Sequence, residues 1–480
     1  MIMEKISEAL KNKLESKGIH TLRQIGRAVG VHFPTKKKKE ELISDIMAIA
    51  RAEAEPCERS TRGAPPKSFD FDKETVDDIE RCRQYYSGYG REESSEGVIS
   101  FASSSVEEDD SEKTCSGVLE FTEKFCFIRT SNMQISSYGD VFVHSSFVKR
   151  FRLRTGDYIV CKAKRRKEGE CLGATFILSV NGKSPEGGRA PHFDSLTPCY
   201  PDKRCTLERQ GGTLTERVID LFSPIGYGQR ALIVSPPKAG KTTMLKEVAS
   251  SICRNQPDTK VIILLIDERP EEVTDIRRSV TGAEVVYSTF DRGDNHHIHT
   301  ATLTLEYAKR MVETGRDVVV LVDSITRLTR AYNSVCNSGR TLSGGLDPQA
   351  IVEPKRFFGA ARNIEDGGSL TIIATALVDT GSRLDDVIYE EFKSTGNMEI
   401  ILSRELAQNR VFPAIDILAS GARKEELLLS EEELSASSLI RGALAKKLQP
   451  SELFDAMRRT SSNVEFCSKA QVFFRVYNGE

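Results

Sequence analysis

The apolar stretch Ala231-Leu232-Ile233-Val234 runs into Ser235-Pro236-Pro237-Lys238-Ala239-Gly240-Lys241-Thr242-Thr243 and restarts as the helical pattern Met244-Leu245-Lys246-Glu247-Val248-Ala249. A strand that turns straight into a helix aims free backbone N–H groups and the positive helix end at one point, where an anion is held. The ending Gly240-Lys241-Thr242 fits a phosphate-binding loop, with the lysine on the β- and γ-phosphates of a nucleotide and the threonine hydroxyl on Mg²⁺. Lys238, Ala239, Gly240, Lys241, Thr242 and Thr243 are the expected nucleotide contacts. Ser235 stands where this motif usually has its first glycine, so the strict pattern fails at that position.

From about residue 210 onward, strands and helices alternate. Residues 230–234, 260–267, 284–288, 317–323 and 369–376 are apolar, β-branched runs with amphipathic helices between several of them. That pattern predicts an α/β fold with a mostly parallel sheet covered by helices on both faces. Two of the runs end in acids. Val318 to Val322 leads to Asp323, which would hold the water shell of Mg²⁺ beside Thr242. Ile262 to Ile266 leads to Asp267-Glu268-Arg269, where a carboxylate can polarise a water for in-line attack on the γ-phosphate. Glu268 is the expected base, although spacing alone does not separate it from Asp267. Arg423, on the glycine turn Ser420-Gly421-Ala422-Arg423-Lys424, is the kind of exposed arginine that stabilises transition-state charge in a neighbouring subunit; taken alone it reads as ordinary surface.

The 480 residues suffice for about three domains. A net charge of −2 says little about partners, but its distribution says more. Residues 1–50 show helical periodicity broken by Gly18, Gly30 and Pro34, with a basic run Lys36 to Lys39 before the last helix. Residues 51–116 hold 17 acidic against 9 basic side chains and little apolar surface, which predicts a disordered acidic insert. Within it, 75–86 is a candidate transient helix and Tyr85 to Arg91 a candidate sticky patch. Residues 117–182 carry five short alternating strands, predicting a small closed barrel of the OB type. This block holds 11 basic against 6 acidic residues. Phe125 and Phe127 lie two apart and so share a face that Arg129 continues, which makes a stacking platform for single-stranded RNA or DNA. A connector, 183–209, follows, then the α/β block at 210–430 and a helical segment at 431–480. No apolar run approaches the roughly 20 residues of a bilayer span, and the N-terminus lacks a basic region followed by an apolar one, so a cytoplasmic protein without membrane contact is expected. Eleven scattered cysteines without a close C-x-x-C pair point to reduced thiols.

Several strings resemble one family. Pro236 to Thr242, Leu265 to Val273, Asp323 to Leu328, Phe357 to Asn363, residues 372–381 and 389–398, and Arg152-Leu153-Arg154-Thr155-Gly156-Asp157 in the barrel look like the bacterial transcription termination factor Rho family. The resemblance is strong over about 117–430 and present in outline over 3–50. It does not cover the acidic insert and weakens after about 430. It implies a RecA-like P-loop NTPase domain preceded by an OB-type RNA-binding barrel and a small N-terminal helical domain. It also implies a homohexameric, RNA-dependent ATPase and helicase that uses ATP and Mg²⁺, moves 5′ to 3′ along nascent single-stranded RNA, and releases transcripts from RNA polymerase and its elongation factors. The family's loop also carries a small residue at the place of Ser235.

Carried over residue by residue, the resemblance makes Lys241 and Thr242 the phosphate and magnesium ligands and Lys238 a second cation near the phosphates. Asp323 becomes the other metal-side acid, Glu268 the water-activating base, and Arg423 the finger offered to a neighbour's ATP. Arg269 and Arg410 are further nucleotide contacts, and Phe412 stacks on adenine. Two pore loops would grip RNA, one through Arg340, Thr341, Ser343 and Gly344, the other through Thr380, Gly381 and Arg383. At the last position the family often has lysine. Phe125, Phe127 and Arg129 match the primary RNA site, and Phe142 stands where an aromatic stacks. Cys171 stands where an aromatic is expected, which puts that contact in doubt.

Two other classes share some of these features. An RNA-binding regulatory or assembly protein with a structural nucleotide site needs neither a water-activating acid nor a finger, and a rotary or secretion ring ATPase lacks the Phe125/Phe127 barrel. The run His296-His297-Ile298-His299 has no matching cysteine or acid pattern, so a polar segment ahead of a helix accounts for it better than a metal site.

Overall fold

A computed structural model describes most of residues 10–50, Ile79, and residues 112–478 apart from 123–124, 136–138, 166–170 and 337. The chain divides into two compact units, 1–107 and 108–480. In the first unit, α1 (Ile19–Val29) and α2 (Lys39–Ala50) place Leu22, Ile25 and Val29 against Leu42, Ile43, Ile46 and Met47. The basic run ahead of α2 is partly engaged inside this unit. Lys37 pairs with Asp45, and the Lys39 ammonium donates to the carbonyl of Glu15 at 2.8 Å. Apart from Ile79 and its last few residues, the acidic insert lies outside the described residues, as do the tyrosine patch and, but for Ile79, the candidate helix.

The second unit begins with a barrel. Its strands are β1 (Lys113–Phe121), β2 (Cys126–Arg129), β3 (Val141–Val143), β4 (Tyr158–Arg165) and β5 (Leu172–Val180), with α3 (Ser145–Phe151) between β3 and β4. They close in the order β1-β2-β3-β5-β4. Leu119, Ile128, Val141, Ile159, Cys161 and Ile177 fill the interior. β1 starts inside the stretch expected to belong to the insert. Its first residues pair antiparallel with β4 from Lys113 opposite Ala163 to Val118 opposite Tyr158, and a partner strand orders residues whose composition alone reads as solvated.

The rest is a three-layer α/β domain. It contains α4 (Leu214–Phe222), β6 (Arg230–Ser235), α5 (Lys241–Asn255), β7 (Lys260–Glu268), α6 (Pro270–Ser279), β8 (Glu284–Thr289), α7 (Asp294–Glu313), β9 (Asp317–Asp323), α8 (Ile325–Val335), α9 (Val352–Gly359), β10 (Ser369–Leu377), α10 (Arg383–Lys393), β11 (Met398–Ile401) and β12 (Gly421–Ala422). The main path of the sheet runs β12-β11-β6-β10-β9-β7-β8, parallel except for the antiparallel β12, and two short strands off this path, Pro198–Cys199 and Arg362–Ile364, add antiparallel pairs beside β10. Strand alternation divides the core in two. Ile233, Ile263, Leu265 and Leu321 pack against α5 on one face, whereas Leu232, Leu264, Val320 and Val322 pack against α7 on the other. Both faces are buried, which is why these strands read as unbroken apolar runs.

The barrel meets this domain along α7. Gly156, at φ 90°, lies where an added Cβ would come within 2.4 Å of the Glu306 backbone. Only a residue without a side chain allows the turn of Arg152 to Asp157 to rest on the helix. Among the described residues no helix is long and apolar enough to cross a membrane, and the cysteines are free thiols.

Candidate functional site: a phosphate loop and an aromatic barrel face

β6 ends at buried Ser235, whose hydroxyl donates to the carbonyl of Pro236 at 2.9 Å. Lys238 (φ 66°) and Gly240 (φ 95°) then turn the chain so that α5 starts at Lys241. Parallel order brings the ends of β6, β10, β9 and β7 to the same edge of the sheet. Asp323, 1% exposed at the end of β9, pairs with the Lys241 ammonium. Its Oδ1 also accepts from the Thr375 hydroxyl at 2.9 Å, while its Oδ2 is buried with no hydrogen-bond partner among the described residues. A buried carboxylate oxygen left open beside half-buried Thr242 fits a hard cation such as Mg²⁺.

Glu268 is 3% exposed at the end of β7. Its Oε1 lies 3.4 Å from Arg327 Nη1 and accepts the Arg269 N–H at 3.2 Å. Burial pushes this carboxyl above its ordinary range; Arg327 opposes the shift and Asp323 adds to it. Asp267 has a side chain 43% exposed and a φ of 56°. The structure therefore separates the two acids that spacing leaves open. Arg327, absent from the expected site, joins them: its guanidinium donates to the Asp267 carbonyl and faces Glu268. It lies one helical turn beyond Asp323, a spacing that sets both at one strand–helix junction.

A cleft of about 500 Å³ opens beside the loop, with Pro237 and Lys238 on one side and Arg404, Ala407, Gln408, Arg410 and Phe412 around it. Arg410 and Phe412 thus meet the loop cation although about 170 residues separate them in sequence. Phe412 is 45% exposed, so its ring face is accessible. Arg404, which sequence reasoning missed, is fixed by a bond from its guanidinium to the Asp379 carbonyl at 3.1 Å. Arg269 is exposed at the cap of α6, beside Glu268 in the chain and outside this cleft.

Arg423 is exposed just after β12, and its N–H donates to the Asn397 carbonyl at 2.8 Å. Asn397 precedes β11 and bonds to Arg230, the first residue of β6. Arg423 therefore lies at the opposite end of the sheet from its own phosphate loop, roughly 17 Å away by strand length.

The two expected pore loops touch. Gly344 (φ 74°) packs so closely on the Arg383 backbone that a Cβ would come within 2.8 Å of its carbonyl. Arg340, Thr341, Ser343, Gly381 and Arg383 are exposed. Thr380 donates its hydroxyl at 2.6 Å to Asp385, a buried carboxylate that Arg330 grips through two nitrogens at 2.8 and 2.5 Å.

On the barrel, Phe125, Phe127 and Phe142 form a cluster of edge-on rings with centroids 5.9–6.3 Å apart. Phe125 is 54% exposed. Arg129 differs from the solvent-facing cation expected of it: it is 5% exposed, 5.2 Å from the Phe127 ring centroid, and bonded to Glu120 at 2.5 Å and Asp140 at 2.6 Å. Glu120 on β1 and Asp140 just ahead of β3 supply the two acids, so the charge is neutralised by register that the local sequence does not reveal. Glu120's other oxygen bonds His299 on α7 at 2.6 Å. His296 and His297 both meet the Ser288 hydroxyl at 2.7 Å, and burial holds both rings below the usual histidine range. The histidine run thus ties α7 to β8 and to the barrel. Cys171 is half-buried ahead of β5, and Phe176 on β5 is an exposed aromatic that sequence reasoning missed.

Fold and site together define a RecA-like nucleotide-binding domain joined to an OB-type barrel. A family model described as "ATP synthase alpha/beta family, nucleotide-binding domain" matches residues 215–422, and one described as "Rho termination factor, RNA-binding domain" matches residues 115–186. The chain is 55% identical over 356 residues to transcription termination factor Rho of Bacillus subtilis (strain 168), covering 73% of this chain and 83% of that protein. It is 52% identical over 361 residues to the Pseudomonas aeruginosa protein of the same name, covering 73% and 86%. A solved ATPase from the type III secretion system of pathogenic bacteria aligns with a TM-score of 0.50 over 65% of this chain and 94% of that one, at 22% identity, a likeness of fold alone. The chain belongs to the transcription termination factor Rho family.

Proposed function

We propose that this chain is a transcription termination factor: an ATP-hydrolysing homohexamer that captures nascent single-stranded RNA, moves along it 5′ to 3′, and releases the transcript from RNA polymerase. The observation that carries the reading is a buried, proton-ready Glu268 at the same sheet edge as the Lys241–Asp323 pair, in one unit with the phenylalanine face of the barrel. A structural nucleotide clamp has no use for that carboxylate.

In this reading Lys241 and the loop N–H groups hold the β- and γ-phosphates, Lys238 adds charge beside them, and Phe412 with Arg404 and Arg410 receives the base. Thr242 and the open oxygen of Asp323 would hold Mg²⁺, which when bound neutralises phosphate charge. Glu268 orients a water and accepts its proton. Arg423 serves the site of the adjoining subunit, since its own loop lies at the far end of the sheet. Phe125, Phe127 and Phe142 stack bases, and the buried Arg129, held by Glu120 and Asp140, braces the platform from beneath. Arg340, Thr341, Ser343 and Gly344, with Thr380, Gly381 and Arg383, line the path of RNA through the ring.

ATPase rates with and without homopolymer RNAs, together with native mass, test the whole reading; a monomer with RNA-indifferent hydrolysis would refute it. Two narrower outcomes are expected. Loss of one stacking platform in Phe125→Ala removes about 1–3 kcal/mol per base, so RNA capture at fixed salt weakens about 5- to 150-fold, whereas ATP affinity is unchanged. Because Glu268 must be deprotonated to accept a proton and its folded pKa is raised, hydrolysis falls on acidification at a pH above the ordinary glutamate value of about 4.3. A pH–rate profile in which Glu268→Gln keeps both that limb and wild-type turnover would remove Glu268 from the role of base.

A further inference from the structure

The seam between barrel and ATPase domain encloses a cavity of about 250 Å³ that none of the proposed nucleotide or RNA contacts uses. Phe151 and Arg154 of the barrel, residues 183–185 and 187–190 of the connector, and Arg310 and Glu313 at the end of α7 wall it. Three arginines converge there. Arg154 meets Glu313 at 2.6 Å, Arg310 lies 2.9 Å from the same carboxylate, and Arg189 meets Asp157 at 2.7 Å.

Both carboxylates are already fully engaged. Glu313 also accepts the Phe193 N–H at 2.8 Å, and Asp157 accepts the Arg154 N–H at 2.6 Å and the Asn181 amide at 2.8 Å. Glu306, 3.8 Å from Arg310, has Lys309 nearer at 2.7 Å. Three guanidiniums thus face two acids, an excess of one positive charge, with exposed Lys183 at the rim. Arg310 is 2% exposed, and neither its Nε nor its Nη2 makes a directed hydrogen bond; Nε of Arg154 and of Arg189 is in the same condition. Burial and the adjacent guanidiniums of Arg310 and Arg189 lower the Arg154 pKa against the pull of Glu313. Buried donors without acceptors and crowded cations are costly together, and one ligand relieves both.

We propose that this seam cavity binds a phosphate-class oxyanion, held by Arg310, Arg154 and Arg189. The cavity is larger than a bare oxyanion needs, so the phosphate can carry a small organic group. Since the arginines come from barrel, connector and α7, a bound anion fastens the three together.

Inorganic phosphate added to the full-length Lys241→Ala chain, in which the phosphate loop has lost its lysine, reports on the seam. A wild-type chain saturated with a non-hydrolysable ATP analogue gives the same reading by a second route. At 20-fold excess over a dissociation constant, phosphate raises the thermal midpoint by about 2 °C over an equal ionic strength of KCl. Ser184→Glu places a carboxylate at the exposed rim and abolishes the rise, and Ser184→Ala retains it. Tungstate soaked into crystals gives a peak within hydrogen-bond reach of Arg310. Equal shifts from phosphate and KCl, an undiminished phosphate response in Ser184→Glu, or no tungstate in the cavity overturns the proposal. Where the response is lost, RNA affinity distinguishes the source of the phosphate. At least fivefold weaker RNA binding in Ser184→Glu identifies an RNA phosphodiester, and unchanged binding a free phosphate compound.

Discussion

Lys241→Ala is expected to lower RNA-stimulated ATP hydrolysis on the order of a thousandfold while RNA capture by the barrel stays within about twofold of the parent. In the proposed mechanism the ammonium is the charge aimed at the point where the phosphate oxygens gain negative charge as the γ-phosphoryl leaves, and no other loop cation is paired with Asp323. The barrel face is built from other strands and shares no residue with the loop, so its affinity is insulated from the change. The substitution also leaves Asp323, 1% exposed, without its ion-pair partner. Breaking a buried pair costs about 3–5 kcal/mol, so a fall in the thermal midpoint is expected and the assay belongs well below it. Steady-state hydrolysis alongside filter binding reads both effects. Wild-type turnover in the variant would sink the mechanism.

The second large effect concerns Arg423. Its removal is expected to cost about 10³-fold in turnover, the scale seen when an arginine finger is lost. The position of the residue makes the sharper prediction. Tied by its backbone to Asn397 at the start of β11, it cannot reach the loop at the end of β6 in its own subunit. Subunits carrying Lys241→Ala and subunits carrying Arg423→Ala are each inactive alone, yet a mixed ring contains interfaces where an intact loop meets an intact arginine. Mixing the two variants therefore restores a fraction of hydrolysis. Mixtures as silent as either parent, with hexamers confirmed by native mass, would assign Arg423 to its own subunit or to no site.

Much of this site is legible in the chain because strand ends carry it. The runs ending in Asp323 and Glu268 are unbroken and β-branched, and a parallel sheet delivers all such ends to one edge. The choice between Asp267 and Glu268 is not legible, since it depends on a break in register between Ile266 and Glu268 against β8 that turns the second acid inward. The fate of Arg129 is hidden for a similar reason. Glu120 reaches it diagonally from β1 and Asp140 from beside β3, contacts set by a closed barrel and invisible in a five-residue window. Arg404 belongs to no motif, and only the placement of its short helix, Arg404–Gln408, beside the loop reveals it. The seam arginines are scattered at 154, 189 and 310, too far apart in sequence for any pattern to join them.

Glu120 gives one oxygen to Arg129 beneath the phenylalanines and the other to His299 on α7. In the proposed mechanism, a tug on RNA stacked against those rings is thus passed through a single carboxylate to the helix whose own N-terminal turn is moored to β8 through Ser288, with Phe290 beyond that strand bonded to the Glu268 carbonyl. The joint is shielded from solvent, with the Glu120 side chain 14% and the His299 ring 21% exposed, so salt screens it little. Slack at that joint, rather than loss of the grip on bases, would then set the heaviest load the ring can drag.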